Sequence, residues 1–133
     1  MTQYLLPRTS RVSAPRSKRS PVWFTLGRTG MTEVFYPDLS TPAVRELQLI
    51  VSDGTGRPQR LQDVEVRIEQ AEEHSLTLRQ IATGRGWSAS LTYVTDPQRA
   101  TVLTEVNVRS LTGRPLRALA FYDLWGSNIG FWA

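Results

Sequence analysis

An all-β fold, built as an antiparallel β-sandwich of about eight strands, is what this 133-residue sequence predicts, and three observations predict it. Runs rich in β-branched and aromatic residues recur throughout the chain after Pro21. Several of them alternate apolar and polar residues with the period of two that gives a strand one buried and one wet face. Turn signals built from Gly, Pro and Asp separate the runs at the roughly 8–12 residue intervals expected of a sandwich or barrel.

The elements follow in order. Val22 to Leu26 forms the first run, closed by Gly27 and Gly30, and Met31 to Tyr36 forms the second, stopped by Pro37. Leu47 to Val51 is the third; it ends at Ser52-Asp53-Gly54-Thr55-Gly56, where Asp-Gly is a strong hairpin signal. In residues 61–69, Val64, Val66 and Ile68 alternate with Glu65, Arg67 and Glu69. Leu61, Val64, Ile68 and Ala71 also fit helical spacing, but the β-branched residues favour a strand here. Leu76 to Ile81 precedes the turn Gly84-Arg85-Gly86, after which Trp87, Ala89, Leu91 and Tyr93 alternate with Ser88, Ser90 and Thr92. Asp96-Pro97 turns the chain into Val102 to Arg109, and Thr112-Gly113-Arg114-Pro115 turns it again into Leu116 to Tyr122. That last run is apolar on both faces, as in a covered central strand, yet only eleven residues follow it. The expectation is that the chain is truncated and that its neighbours belong to residues further downstream.

Composition bounds the chemistry. A chain of this length suits one domain and buries roughly 65–70% of its unfolded surface, so it needs no staples. It has no Cys and a single His, which removes disulfides, thiolate catalysis, Cys-based zinc sites and the HExxH motif. No apolar run reaches the roughly 18–20 residues of a membrane span, so no membrane partner is expected. The net charge of +4 divides unevenly. Residues 1–20 carry Arg8, Arg11, Arg16, Lys18 and Arg19 without an acid, so the remainder, residues 21–133, sums to −1. Residues 1–20 therefore read as a disordered basic leader, too poor in apolar residues to offset the entropy of ordering. Their Arg- and Ser-rich composition loosely matches a transit peptide, but Tyr4-Leu5-Leu6 is too short for a signal-peptide core, leaving the cytoplasm as the default location. A near-neutral body argues against a nucleic-acid partner, whose phosphates call for positive charge on the folded face.

No catalytic, cofactor or metal site is expected. His74 sits in Glu72-Glu73-His74 with no GxSxG-type nucleophile signature, and reads as a solvated histidine. Glu72 and Glu73 point to opposite faces if extended, a poor arrangement for paired acid and base. Gly54-Thr55-Gly56-Arg57 lacks the Lys and following helix of a phosphate loop and is explained by a hairpin turn. Trp23, Trp87, Trp125 and Trp132, with Tyr36, Tyr93 and Tyr122, could offer stacking platforms for sugars or bases. Trp87 and Tyr93 share a face with Ala89 and Leu91, however, which is the pattern of core packing.

The stretch Val22-Trp23-Phe24-Thr25-Leu26-Gly27, followed by Thr32-Glu33-Val34-Phe35-Tyr36-Pro37, resembles the opening of the N-terminal β-domain (domain N) of bacterial glucoamylases and glucodextranases, which precedes a glycoside hydrolase family 15 barrel. Phe35 stands where that family has Tyr. The likeness continues in order through Arg45-Glu46-Leu47-Gln48-Leu49-Ile50-Val51-Ser52-Asp53-Gly54, through Gly84-Arg85 and Tyr93-Val94-Thr95-Asp96-Pro97-Gln98-Arg99, and into residues 103–119. Ala100 replaces an Asp, Asp123 lacks its usual following Pro, and residues 1–20 bear no likeness to the family's Trp-Pro lead-in. The resemblance implies a partial supersandwich of the galactose-mutarotase-like kind, with residues 21–133 forming the N-terminal half of domain N. It implies a non-catalytic accessory domain of an α-glucan-hydrolysing enzyme, packing against an (α/α)6 barrel that carries the catalytic glutamates. The partners expected are that barrel, an α-glucan oligosaccharide if the domain acts as a stand-alone carbohydrate-binding module, and other copies of the chain through open sheet edges.

Overall fold

The computed structural model describes residues 11–13, 22–71, 77–96, 98–124 and 129–132. Two antiparallel sheets pack face to face. Sheet A runs β1(Arg11–Ser13), β2(Trp23–Gly27), β3(Gly30–Phe35), β4(Pro42–Ser52), β10(Arg117–Leu124) and β11(Ile129–Trp132), with β5(Gln59–Arg60) on the β3 side of β4. Sheet B is a meander of β6(Glu65–Gln70), β7(Leu78–Gly84), β8(Trp87–Thr95) and β9(Val102–Ser110). All-β with two antiparallel layers is therefore the architecture. The described residues hold eleven strands rather than about eight, the additions being the short β1, β5 and β11.

The alternation in the sequence becomes the sandwich core. Phe24 and Leu26 of β2, Leu49 and Val51 of β4, Leu78 and Ala82 of β7, and Trp87, Ala89, Leu91 and Tyr93 of β8 are all buried between the sheets. Phe24 and Tyr93 meet across the layers with ring centroids 6.0 Å apart. Burying a side chain such as Phe24 contributes roughly 1.5–3 kcal/mol, so the inner faces of β2 and β8 dominate the packing energy.

Two expectations are corrected by the chain path. Residues 61–69 do not form one strand: Leu61–Asp63 is a turn of 3-10 helix, and β6 begins at Glu65. At this point the chain crosses from sheet A to sheet B. The turn drops Leu61 into the core while the Arg60 backbone N–H donates to Asp63 Oδ2 at 3.0 Å. In the segment expected to be a disordered leader, Arg11–Ser13 pairs antiparallel with Phe24–Leu26. An unpaired β2 edge offers backbone donors and acceptors that any extended segment satisfies. The other leader residues lie outside the described ones, as do Glu72, Glu73, His74 and Trp125.

The hairpin after β4 forms as expected, with Ile50 opposite Arg60 and Val51 opposite Gln59. On its other side β4 is paired along nearly its whole length by β10, from Ser52 opposite Arg117 to Val44 opposite Leu124. β10 is thus hydrogen-bonded on both edges, by β4 and β11, as a central strand should be. Its faces are less well covered: Ala118 and Leu119 are exposed.

The β7–β8 turn depends on a missing side chain. A Cβ on Gly84 would lie 2.2 Å from the Trp87 indole, which is itself 1% exposed and hemmed in by the core. We predict that Gly84→Ala destabilises the fold by about 1–3 kcal/mol through overpacking. Urea denaturation checks this, and an unchanged midpoint would show that the indole can yield.

Candidate functional site

Two of the aromatic residues that could have formed a ligand platform, Trp87 and Tyr93, are spent on the core. Trp87 and Tyr93 are wholly buried, Trp23 and Tyr122 are half-buried, and Tyr36 alone among the described tryptophans and tyrosines is largely exposed, at 47%. Trp132 lies in β11, where only the backbone is described.

Two polar clusters, one buried and one partly exposed, join the sheets, and neither was foreseen. From β7, Gln80 is wholly buried; its Nε2 donates to the Gly27 carbonyl in the β2–β3 hairpin at 2.6 Å, and its Oε1 accepts from Tyr93 Oη at 2.8 Å. From β5, Gln59 Oε1 accepts both the Arg85 backbone N–H at 2.8 Å and the Trp87 indole N–H at 3.0 Å. Each glutamine thus ties one sheet to a hairpin of the other. Both are structural, with their polar atoms turned to protein partners rather than to an open cavity.

The exposed carboxylates serve turns. Asp38 takes bonds from the Ser40 hydroxyl at 2.5 Å, the Ser40 backbone N–H at 2.9 Å and the Thr41 hydroxyl at 3.2 Å, the first of which does most to hold its pKa below the usual value. The Thr55 hydroxyl, 2.6 Å from Asp53 Oδ1, does the same for Asp53. Side chains that bond residues two or three positions ahead are locking turns. Gly54 and Gly56 supply the positive φ of the same loop, which is a hairpin connection as expected. Among the described residues no cluster of three His, Asp or Glu could hold a metal ion. None of their helices is long and apolar enough to cross a membrane.

Two surfaces remain as candidates. The first is the outer face of sheet B. Along most of its length β8 presents the short side chains Ser88, Ser90 and Thr92, while the flanking strands present longer ones. Arg79 and Glu105 stand on either side of Thr92, and Ile81 and Asn107 on either side of Ser90. The result is an open trough of about 540 Å³ running along β8. It offers hydroxyl, amide, guanidinium and carboxylate groups without a dominant charge, a set suited to hydrogen bonding with a neutral polyol.

The second is the outer face of sheet A, where Trp23, Phe35, Ile50 and Phe121 are half-buried and Leu119 is exposed. In their midst lies Gln48, buried on the side of the sheet away from the core, with Nε2 donating to Glu46 and Oε1 without a hydrogen-bond partner. The Arg60 guanidinium sits 5.9 Å from the centre of the Phe121 ring. A sheet face that gathers partly exposed apolar side chains from several strands is of the kind that another body covers.

Comparison with known proteins places the chain in a family. Residues 2–130 match the family model described as glucodextranase, domain N, a span that takes in most of the basic leader. A glucoamylase of Clostridium sp. (strain G0005) is 29% identical over 97 residues, which covers 71% of this chain and 14% of that protein. A crystal structure of a bacterial glucoamylase complexed with acarbose superimposes with a TM-score of 0.79 at 25% identity, covering 85% of this chain and 18% of that one. The chain therefore spans less than a fifth of the length of either relative.

Burial raises the Tyr93 pKa well above the ordinary tyrosine value. With the folded value raised, the unfolded chain gives up this proton first, so stability holds below about pH 10 and falls as pH rises beyond it. Tyr93→Phe is expected to flatten that alkaline decline in a pH series of thermal melts. At neutral pH it should cost about 1–3 kcal/mol, because Gln80 Oε1 loses its donor in the core.

Proposed function

From the premise that this chain belongs to the glucodextranase domain N family, we propose that it is a non-catalytic accessory β-domain of a glucoamylase-like glycoside hydrolase, packing against and positioning a catalytic (α/α)6 barrel that cleaves α-glucans. The observation that carries this reading is the family match over residues 2–130. The similarity in sequence and fold to glucoamylases supports it. We assign the outer face of sheet A to the barrel contact, because its half-buried aromatics and the exposed Leu119 are suited to a partner that removes them from water.

The test is a calorimetric titration of the 133-residue protein into the catalytic portion of the Clostridium glucoamylase, prepared without the segment that this chain matches. Saturable binding is expected, weakened at least tenfold by Phe121→Lys, which sets a second positive charge beside Arg60 in the interface. Absence of binding by the unaltered protein would count against the packing role. The chain alone is expected to release no glucose from malto-oligosaccharides or dextran; turnover that copurifies with it through successive columns would overturn its assignment as non-catalytic.

A second reading, a stand-alone carbohydrate-binding module, is favoured by the trough along β8 rather than by the aromatics. It predicts measurable heat on titration with malto- or isomalto-oligosaccharides at millimolar concentration, lost when Arg79→Ala opens one wall. A flat titration with the unaltered protein removes this reading.

A further inference from the structure

The edge of sheet B at β9 departs from the usual protection of sheet edges. Such strands are normally kept short, kinked by a bulge, interrupted by Pro or guarded by charged side chains, so that they do not pair with another chain; the charges of β9, Glu105 and Arg109, stand on its outer face only. β9 is nine residues long, pairs with β8 in unbroken register from Trp87 opposite Ser110 to Thr95 opposite Val102, and contains no Pro. Its inward-facing positions are Val102, Thr104, Val106, Val108 and Ser110, all uncharged. Among the described residues nothing pairs with its other edge. Val106, although opposite the buried Leu91, remains 43% exposed, and Leu103 and Leu111 at the two ends are more exposed still.

The sequence of this edge is nearly its own mirror image. Residues 103–111 read LTEVNVRSL. About Asn107, Val106 mirrors Val108, Leu103 mirrors Leu111, and Glu105 mirrors Arg109, an acid against a base. An antiparallel pair of identical strands related by a two-fold axis sets each residue opposite its mirror mate. Pairing centred on Asn107 would therefore bring valine to valine, leucine to leucine and, twice over, Glu105 to Arg109. A centre on Val106 or Val108 instead would leave both charges opposite uncharged residues. Because the mirror positions differ by even numbers, inward residues also meet inward residues, and the core face of one sheet continues into the other.

We propose that β9 is a self-recognition edge: two copies of this chain join through antiparallel β9–β9 pairing centred on Asn107, making one continuous eight-stranded sheet B. The partner is a second copy because the complementarity is with the strand itself, in charge as well as in shape. Main-chain hydrogen bonds supply attachment, and the paired Glu105–Arg109 contacts supply register. The inference rests on β9 alone and stands apart from the family reading.

Sedimentation velocity of the unaltered 133-residue protein across micromolar concentrations provides the test. A reversible monomer–dimer equilibrium is expected. Glu105→Arg sets arginine opposite arginine at two symmetric places and is expected to raise the dimer dissociation constant roughly tenfold or more. Adding Arg109→Glu to that variant reverses both charges and is expected to restore dimerisation, which a merely damaged fold would not do. Circular dichroism of each variant verifies that the monomer is intact. A protein that stays monomeric throughout, as it would if another segment or another protein occupied the edge, overturns the proposal. So does a dimer indifferent to Glu105→Arg, which would be built on a different surface.

Discussion

A sandwich held by apolar contact alone leaves its two sheets free to slide, because hydrophobic attraction has no preferred direction. The constraint on which this structure depends is the amide of Gln80. Buried between the layers, it binds a backbone carbonyl of the opposite sheet and a tyrosine hydroxyl of its own, so one relative placement satisfies both of its ends. Any slip would strand polar atoms in a medium where each costs about 1–3 kcal/mol. Gln59 fixes the other end of the sandwich by holding the β7–β8 turn against β5. Directional bonds at two separated points set the angle and offset of the sheets; the apolar side chains between them then supply most of the energy.

The alternation of apolar and polar residues on β8 was plain in the sequence, because strict period two survives wherever one face is buried. Trp87 and Tyr93 accordingly stand in the core as their spacing indicates. Sheet membership was not legible, nor was the turn at Leu61. Whether a strand continues or crosses to the opposite layer is decided by what its ends meet, and local pattern is silent on that. The glutamines were invisible for a related reason. Gln80 occupies an inward position of β7 between Leu78 and Ala82, and only a partner distant in sequence turns a polar break in the apolar pattern into a latch. The one available signal was that break itself. The short strands β1, β5 and β11 carry too few residues for any periodicity to register.

The family resemblance fared differently from the periodicity. Ordered motifs from Val22 to Leu119 pointed to domain N, and the match from residue 2 onward shows that the likeness reaches into residues where no motif was recognised. The candidate surfaces were harder still to read. The trough along β8 exists because three strands stand in register, and the hydrophobic outer face of sheet A gathers residues from four strands. Surfaces of that kind are properties of pairing rather than of any one segment.

Strand pairing also dictates an order of events. β4 and β10 are partners in sheet A, yet Ser52 and Arg117 lie about 65 residues apart, and all of sheet B is strung between them. Sheet B is a meander whose strands pair with their immediate successors, so its loops close cheaply and early. Once formed, it shortens the effective loop that β10 must close to reach β4. Its large sequence separation from β4 therefore favours docking of β10 after the meander has formed. Until then β4 holds one edge open, and the meander serves as the internal scaffold that brings the two ends of sheet A together.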